Sequence, residues 1–292
     1  MPLRVDLPSG PARLGGGPLD PAVARAVAAY DAAADRRDDR SLGFLARAAD
    51  RTVAALDLTP GMHVLDVACG TGPASLMAGR AVAPHGRVLG VDLSGQMLEA
   101  ARDKTQRAGL DAVVRFHQAD MRRTGLPDAS FDAVVCVFGL VLVPDMVGLV
   151  AELWRMVRPG GTLIVTTWGP RLWAPMYEVW KAAVAVERPD LIRADEPWEQ
   201  VTDTTALAAL FEAAGVPEEG MTVTPEFERW PLLAPRDWWS IVMGSGLRWT
   251  VDQLGEDAAE RVRQTCVDYA RRHQVDWISC NVLYGKAVKP LR

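Results

Sequence analysis

The stretch VLDVACGTG, residues 64–72, decides the fold. Its first half is apolar and indicates a buried strand, and its second half is a turn that holds two glycines, Gly70 and Gly72. Because glycine has no Cβ, both positions allow a tight turn and a close approach of the backbone to a ligand. The stretch therefore predicts a strand, a ligand-binding loop and a following helix.

Strand-like and helix-like segments alternate from this stretch as far as Trp168. In chain order they are MHVLDVA, PASLMAGRAVA, GRVLGVD, SGQMLEAARDKTQRAG, AVVRFHQAD, FDAVVCVF, PDMVGLVAELWRMV and GTLIVTTW. Strands that alternate with helices of about ten to fifteen residues predict βαβ units around a parallel sheet. These strands are nearly all apolar, as strands covered by helices on both faces should be. The fold class is therefore α/β.

The tryptophans divide the chain into two unlike halves. All ten lie at or after Trp154, and the alternation of strands and helices stops after Trp168. The remainder holds two insertions, at about residues 169–200 and 235–275. It also holds two strand-like segments, at residues 221–230 and 277–288. We expect one α/β domain that carries two late insertions.

Composition narrows the functional classes. A formal net charge of −5 without a basic stripe argues against nucleic acid as the main partner. The longest apolar run, residues 133–143, is well short of the roughly 20 residues that span a bilayer. The four cysteines have no CxxC spacing, which favours a reduced, cytoplasmic setting and argues against a metal site. Residues 1–20 hold four Pro and four Gly and are expected to be a disordered tail.

Asp92 ends the second strand, twenty residues beyond Gly72. A carboxylate there can accept hydrogen bonds from both hydroxyls of a ribose, which predicts a nucleoside ligand. An NAD(P)-dependent dehydrogenase is the first alternative, but the third glycine of its GxGxxG fingerprint is missing after Gly72. Asp66 would also repel a diphosphate, whereas it suits a ligand that carries an ammonium or sulfonium group.

At these residues the sequence resembles the class I S-adenosylmethionine-dependent methyltransferases, whose loop reads acidic-x-G-x-G-x-G. The matching positions are Asp66, Ala68, Gly70 and Gly72, with Ala68 the one departure. Asp92-Leu93 matches the ribose-binding acid and the adenine-packing residue of that family, and Asp120-Met121 matches the pair near the adenine amino group. Phe131-Asp132 and residues 158–161, RPGG, are similar to the small-molecule branch that resembles ubiquinone and menaquinone C-methyltransferases.

The resemblance implies a Rossmann-like seven-stranded sheet of order 3-2-1-4-5-7-6, with strand seven antiparallel and helical lid insertions. Residues 221–230 and 277–288 would be strands six and seven. Residues 21–60 would form helices that cap the active site, and residues 61–168 would form the core that binds S-adenosylmethionine. Residues 169–292 would complete the sheet and supply the Trp-rich lid.

The site residues follow from the same resemblance. We expect the cofactor to contact Asp66, Ala68, Gly70, Gly72, Asp92, Leu93, Met97, Asp120, Met121, Phe138 and Tyr30. We expect the acceptor pocket to include Trp168, Trp173, Trp238 and Trp239. Core packing by Tyr30, strand-end solvation of Asp120 and simple packing of the lid by the tryptophans remain open. No metal is expected, and no catalytic base stands out, since none of the four histidines lies at a compelling position.

The predicted function is transfer of a methyl group by in-line displacement to a small, largely apolar or planar acceptor. A cyclase-type enzyme that binds S-adenosylmethionine without transferring its methyl group stays an alternative, because the sequence offers no clear base. The sequence leaves open carbon, oxygen or nitrogen as the methylated atom. It is compatible with a monomer or a homodimer.

Overall fold

The computed structural model describes residues 21–192 and 196–291, so the predicted tail at residues 1–20 lies outside the described residues. Two helices, α1 (Pro21–Ala33) and α2 (Gly43–Ala54), open the described chain. They are joined through two short 3-10 helices, Ala34–Arg36 and Arg40–Leu42. The two N-terminal helices that the sequence predicts are therefore present.

Seven strands form the main sheet. They are β1 (His63–Val67), β2 (Arg87–Asp92), β3 (Val114–Gln118), β4 (Phe131–Val137), β5 (Val157–Trp168), β6 (Met221–Glu226) and β9 (Val282–Val288). Their order is β3-β2-β1-β4-β5-β9-β6. The five strands from β3 to β5 pair in parallel, and β9 is antiparallel to both β5 and β6. This confirms the predicted order, with β9 as the seventh strand of the sheet.

Helices connect and cover these strands. They are α3 (Pro73–Val82), α4 (Gly95–Arg107), α5 (Met146–Met156), α6 (Met176–Glu187), α7 (Thr204–Ala213), α8 (Asp237–Met243), α9 (Arg248–Leu254) and α10 (Glu256–Arg272). Short 3-10 helices occur at Leu140–Leu142, Pro189–Leu191 and Pro197–Glu199. Ser94 caps α4 by accepting a hydrogen bond from the Met97 backbone N–H at 3.1 Å, so the chain turns from β2 into a helix within two residues.

Strands six and seven are shorter than the sequence predicts. Each expected segment is interrupted, and the pieces β7 (Arg229–Pro231) and β8 (Trp277–Ser279) pair with each other as a separate two-stranded sheet. Asn281 lies at the break: its side chain accepts from the Glu228 N–H and donates to the Pro170 carbonyl. These bonds tie the break to the chain leaving β5.

The two insertions are largely helical, as the resemblance implies. Residues 169–200 contain α6, whose buried side chains recur at helical spacing from Met176 to Trp180 and Val184. Residues 235–275 divide into three helices, because Gly244 and Gly255 end α8 and α9. We call residues 169–192, 196–200 and 235–275 the lid.

The lid is part of a large hydrophobic core beside the sheet. Trp168, Trp173, Trp180 and Trp238 belong to one buried cluster that the lid helices share with the N-terminal helices. Trp154, by contrast, packs in the cluster between the sheet and α5. Most of the large aromatic side chains therefore hold the lid against the sheet instead of filling the interior of the α/β core.

Candidate active site

A cavity of about 850 Å³ opens where the parallel strands end. Ala68 follows β1, Asp92 ends β2, Phe138 follows β4 and Trp168 ends β5, and all four line the cavity. Residues of α1 and of the lid complete its wall. Open α/β sheets bind ligands at the carboxyl ends of their strands, and small-molecule sites typically occupy about 300–1,000 Å³. This cavity is the candidate site.

The loop between β1 and α3 uses its two glycines differently. Gly72 has φ +80°, and a Cβ there would lie 3.1 Å from the Ala101 Cβ and 3.2 Å from the Phe116 ring. Gly70 has φ +54°, but a Cβ there would meet nothing within 4 Å. Gly72 is therefore required by packing against the core. Gly70 leaves open space in front of the loop, as an approach of backbone to ligand requires.

Asp92 is held as an acceptor at the mouth of this loop. Its Oδ2 accepts from the Gly70 N–H at 2.9 Å, and its Oδ1 accepts from the Ser94 N–H at 2.9 Å. Burial raises the pKa of the Asp92 carboxyl, while these backbone N–H groups act in the opposite direction. Each carboxylate oxygen can accept a second hydrogen bond. The arrangement fits a ligand with two neighbouring hydroxyls, as the ribose of S-adenosylmethionine has.

Asp66 lies behind the loop, outside the residues that line the cavity. It is 1% exposed, and the Ser75 hydroxyl donates to its Oδ2 at 2.6 Å. Burial raises the pKa of Asp66 to about 7. At neutral pH this carboxyl is therefore only partly ionised, so its direct attraction for a cationic ligand is weaker than the sequence argument assumed. Its visible role is to bond the first turn of α3 to β1.

Leu93, Asp120 and Met121 line the far end of the cavity, at the ends of β2 and β3. Asp120 forms a two-pronged ion pair with Arg122, in which Nη2 lies 2.6 Å from Oδ2 and Nε lies 3.0 Å from Oδ1. The hydrogen bonds from Arg122 hold the pKa of Asp120 below its ordinary value, although burial acts in the opposite direction. Asp120 is thus an anchored carboxylate on the cavity wall.

The N-terminal segment closes the cavity from the side of α1. Asp31 accepts from the Ser94 hydroxyl at 2.5 Å, and Asp38 bonds both Thr71 Oγ1, at 2.9 Å, and Lys104 Nζ, at 2.8 Å. Asp38 thus ties the charged stretch at residues 36–40 to the glycine loop. Tyr30 and Arg37 both line the cavity, and the Arg37 guanidinium lies 5.6 Å from the centre of the Tyr30 ring.

Aromatic side chains form the opposite wall. Phe138 and Trp168 stack with ring centres 3.8 Å apart, and Trp173 meets Trp168 edge-on at 5.6 Å. Phe138 and Trp173 have φ of +60° and +54°, which is unusual for bulky residues and costs about 1–3 kcal/mol each. Tight packing around both residues maintains this conformation, which fixes the direction of the two rings.

The structure brings most of the predicted site residues together but not all. Met97 is buried in the core, and Gly70 and Gly72 shape the loop without lining the cavity. Trp238 is 1% exposed and packs behind Trp173, and Trp239 is also outside the lining residues.

The lining residues that were not among the predicted site residues include Arg37, Trp180, Trp198 and Trp249. The sequence placed these tryptophans in the two insertions but did not predict which of them line the cavity. Which face of each lid helix turns inward depends on tertiary packing, and no local signal separates Trp180 from Trp238.

The outer part of the cavity carries charged groups that are already paired. Lys181 lies 3.6 Å from Glu178 and 3.9 Å from Glu199, and Asp190 is paired with Arg188. Among the residues that the structure describes, no histidine lines the cavity. The same residues include no cluster of His, Cys, Asp and Glu able to hold a metal ion, and no helix long and apolar enough to cross a membrane.

Comparison with known proteins matches this architecture. Residues 64–161 match the family model described as a methyltransferase domain. This segment is therefore similar to methyltransferase domains. The match covers the glycine loop, Asp92 and Asp120, and it confirms the resemblance to S-adenosylmethionine-dependent methyltransferases and the cofactor that this resemblance implies.

Curated relatives match part of the chain. A demethylmenaquinone methyltransferase of Listeria welshimeri is 39% identical over 112 residues, which is 38% of this chain and 47% of the relative. The ubiquinone/menaquinone biosynthesis C-methyltransferase UbiE of Stutzerimonas stutzeri is 32% identical over 166 residues, which is 53% of this chain and 65% of the relative. The alignment with the Listeria protein thus spans about half the length of that relative.

Solved structures share the fold over most of the chain. The YcgJ protein of Bacillus subtilis has a TM-score of 0.57 at 18% identity and covers 84% of this chain and 98% of its own. The [4+2]-cyclase SpnF has a TM-score of 0.51 at 21% identity and covers 85% of this chain and 81% of its own. Because each structure covers more than four fifths of this chain, the shared fold extends beyond residues 64–161.

Proposed function

We propose that this protein transfers the methyl group of S-adenosylmethionine to a small, largely apolar or planar acceptor. The observation that carries the proposal is a single cavity with two chemically different ends. One end presents the anchored Asp92 carboxylate beside the glycine loop, and the other presents the stacked rings of Phe138 and Trp168. A nucleoside cofactor suits the first end and an apolar acceptor suits the second.

The residues toward the cofactor bind and orient it. S-adenosylmethionine supplies a methyl group that its sulfonium already activates. Asp92 would accept the ribose hydroxyls, Leu93 and Met121 would pack against the adenine, and Asp120 would accept from its amino group. The backbone at Ala68 and Gly70 leaves room for the rest of the molecule. We also propose that residues 21–60 act as a cap, since α1 lines the cavity and is bonded to the loop after β2.

The residues toward the acceptor hold it in line and exclude water. Correct placement of the two reactants is worth about 7–11 kcal/mol in favourable cases, so positioning alone accounts for a large part of methyl transfer. The rings of Trp168 and Trp173 offer flat apolar surface, and α1 and the lid cover the site. The names of the curated relatives, which concern quinones, support a planar acceptor of that kind.

Two measurements test this proposal. Titration of the purified protein with S-adenosylmethionine and with NADH should show binding of the first and none of the second; the reverse result refutes the proposal. Incubation with methyl-labelled S-adenosylmethionine and 1,4-naphthohydroquinone acceptors that differ in ring substitution should move label into product. The Asp92→Ala variant serves as the control that has lost a cofactor contact.

A cyclase-type reaction is the second candidate. The fold likeness to the cyclase SpnF shows that this architecture is also found in an enzyme whose name denotes ring closure. Among the described residues, no histidine is available in the cavity as a base, which suits chemistry that needs no proton removal. Product formed from a polyene substrate in the presence of S-adenosylmethionine, without transfer of label, would favour this candidate over methyl transfer.

A further inference from the structure

Arg37 is a cation on the cavity wall that the described protein leaves without an ionic partner. It is half-buried and follows the 3-10 helix Ala34–Arg36. One guanidinium nitrogen, Nη1, donates to the Gly244 carbonyl at 2.9 Å. Among the described residues, no carboxylate oxygen lies within 4.0 Å of its guanidinium nitrogens. The guanidinium keeps donors that can reach a ligand, since it carries five N–H groups.

Other cations of the cavity differ in this respect. Arg122 is paired with Asp120, and Lys181 is paired with Glu178 and Glu199. Arg25 also lines the cavity, but it is exposed to solvent. A half-buried guanidinium without a counter-ion is unfavourable unless a ligand supplies the negative charge. Its position therefore indicates the binding of an anionic group.

The two carboxylates that act on Arg37 already have hydrogen-bond partners. Asp38 bonds Lys104 and Thr71, and Asp92 accepts from the backbone N–H groups of Gly70 and Ser94. Both carboxylates act on Arg37 only at longer range, and burial lowers the pKa of Arg37. The guanidinium is thus placed close to the end of the cavity that the glycine loop and Asp92 define, but it is free to take another anion.

The charges of the proposed cofactor make this placement informative. S-adenosylmethionine carries a sulfonium and an α-ammonium, both of which a nearby guanidinium repels. Its only anionic group is the α-carboxylate. A cation on this wall is therefore compatible with the cofactor only if it meets that carboxylate.

We propose that Arg37 binds the α-carboxylate of S-adenosylmethionine and so selects the complete amino-acid end of the cofactor. The inference rests on the proposed function, because it assumes that the cofactor occupies the cavity. Arg37 also donates a hydrogen bond to the Gly244 carbonyl. The residue proposed to bind the anion therefore also connects the N-terminal segment to the end of α8. Arg248 makes a parallel connection, from α9 to the Ala32 carbonyl in α1.

The test compares two ligands that differ only in the carboxylate. Isothermal titration calorimetry gives dissociation constants for S-adenosylmethionine and for its decarboxylated analogue, S-adenosylmethioninamine. The proteins are the wild type, Arg37→Met, Arg37→Lys and the control Arg36→Met. Arg36 is the exposed neighbour, and it lies 4.0 Å from Asp35.

We expect the wild type to bind S-adenosylmethionine about 30-fold more tightly than the analogue, as a charge-assisted hydrogen-bonded pair allows. Arg37→Met should reduce this preference to within about threefold by weakening S-adenosylmethionine alone, and Arg37→Lys should retain part of it. Arg36→Met should keep the wild-type preference.

Three results would overturn the inference. Equal weakening of both ligands by Arg37→Met would mean that Arg37 only supports the fold through Gly244. Equal binding of both ligands by the wild type would mean that the carboxylate is not recognised, although the proposed function would stand. Binding of neither ligand by the wild type would overturn both proposals.

Discussion

The cofactor end of the cavity is built from short loops at strand ends, whereas the acceptor end is built mainly from helices inserted after β5. At the cofactor end, β1 and β2 run side by side, so their register brings Gly70 and Asp92 within hydrogen-bonding distance. At the acceptor end, Trp173 packs against Phe44 of α2 and Trp238 of α8. Trp180 lies on α6, which packs against α10. The sheet thus sets the positions of the residues at the cofactor end. The hydrophobic cluster shared by the lid and the N-terminal helices sets those at the acceptor end.

This difference has a functional consequence. A loop between a strand and a helix can change little without disturbing the sheet. At Gly72, for example, a Cβ would press against Ala101 and Phe116. The lid instead packs in the hydrophobic cluster that it shares with the N-terminal helices. Its side chains can vary as long as the total volume of that cluster is kept. If the proposed function holds, the lid can change without the cofactor end, and variants of the two proposed ends should have separable effects.

The largest expected effect is on the stability of the lid. Trp238→Ala removes a fully buried indole that packs edge-on against Trp173 at 6.0 Å. We expect the free energy of unfolding to fall by about 3–5 kcal/mol, the usual cost of emptying an aromatic core position. Urea denaturation followed by circular dichroism measures this loss. The half-buried neighbour Trp239 provides the control, since Trp239→Ala should cost less than half as much.

Cofactor affinity of the folded Trp238→Ala protein should stay within about twofold of the wild type, because Trp238 lies outside the cavity wall. A large loss of affinity under conditions where the variant is folded would mean that the two ends are not separable.

The second effect concerns the pH dependence of stability. The pKa of Asp66 is about 7 in the folded protein, above the ordinary value of 3.8, so the folded state binds more protons than the unfolded state between these values. Stability should therefore fall as pH rises from about 4 through 7 and then level off, by at most about 4 kcal/mol. Asp66→Asn should lack this contribution and become more stable than the wild type at pH 8.

Urea midpoints at pH 5 and pH 8 provide the measurement. Asp50→Asn, at an exposed position of α2, should retain the wild-type pH dependence. If Asp66→Asn and the wild type lose the same stability between these pH values, Asp66 is already fully ionised in the folded protein, and its buried charge belongs to the cofactor loop as the sequence argument assumed.

The third effect is on the cofactor end alone. Asp92→Ala removes the carboxylate proposed to accept the ribose hydroxyls, and we expect S-adenosylmethionine to bind at least tenfold more weakly, a loss of about 1.4 kcal/mol or more. Asp92→Asn should lose less, because its side-chain oxygen still accepts one hydrogen bond. Calorimetric titration measures both. Unchanged affinity in Asp92→Ala would place the ribose elsewhere in the cavity.

The unequal construction of the two ends also explains what the sequence could predict. The family resemblance supplied the order of the sheet and the site positions of Ala68 and Phe138. The cavity positions of Asp92 and Trp168 were also predictable from strand ends, which meet at one edge of a parallel sheet. In each case the residue lies at the end of an apolar run, so its place in the fold follows from its place in the chain.

Side chains that depend on distant contacts were not predictable in this way. Arg37 lies in a stretch of charged residues, 35–40, and only its approach to Tyr30 and Gly244 places it in the cavity. Trp238 and Trp180 both lie on short lid helices, yet one fills the lid core and the other reaches the cavity. Helix periodicity gives the spacing of a face but not the neighbour that the face meets.

The smallest expected effect is on the acceptor end alone. Trp198 lines the cavity, is half-buried and meets Tyr177 edge-on at 6.0 Å. We expect Trp198→Ala to weaken binding of the planar probe 1,4-naphthoquinone about fivefold, as loss of one aromatic contact predicts, with S-adenosylmethionine affinity unchanged. Trp277 offers a matched control, because it is a half-buried tryptophan on β8 outside the cavity wall, where Arg229 stacks on it at 4.2 Å.

Quenching of tryptophan fluorescence by the probe, measured with and without saturating S-adenosylmethionine, separates the two ends in one experiment. If Trp277→Ala weakens the probe as much as Trp198→Ala does, the probe does not bind at the lid side of the cavity. If Trp198→Ala weakens S-adenosylmethionine instead, the lid belongs to the cofactor site, and the acceptor must enter from another side. If Trp198→Ala weakens binding of the probe but not of S-adenosylmethionine, the cavity holds two sites whose walls can be altered independently.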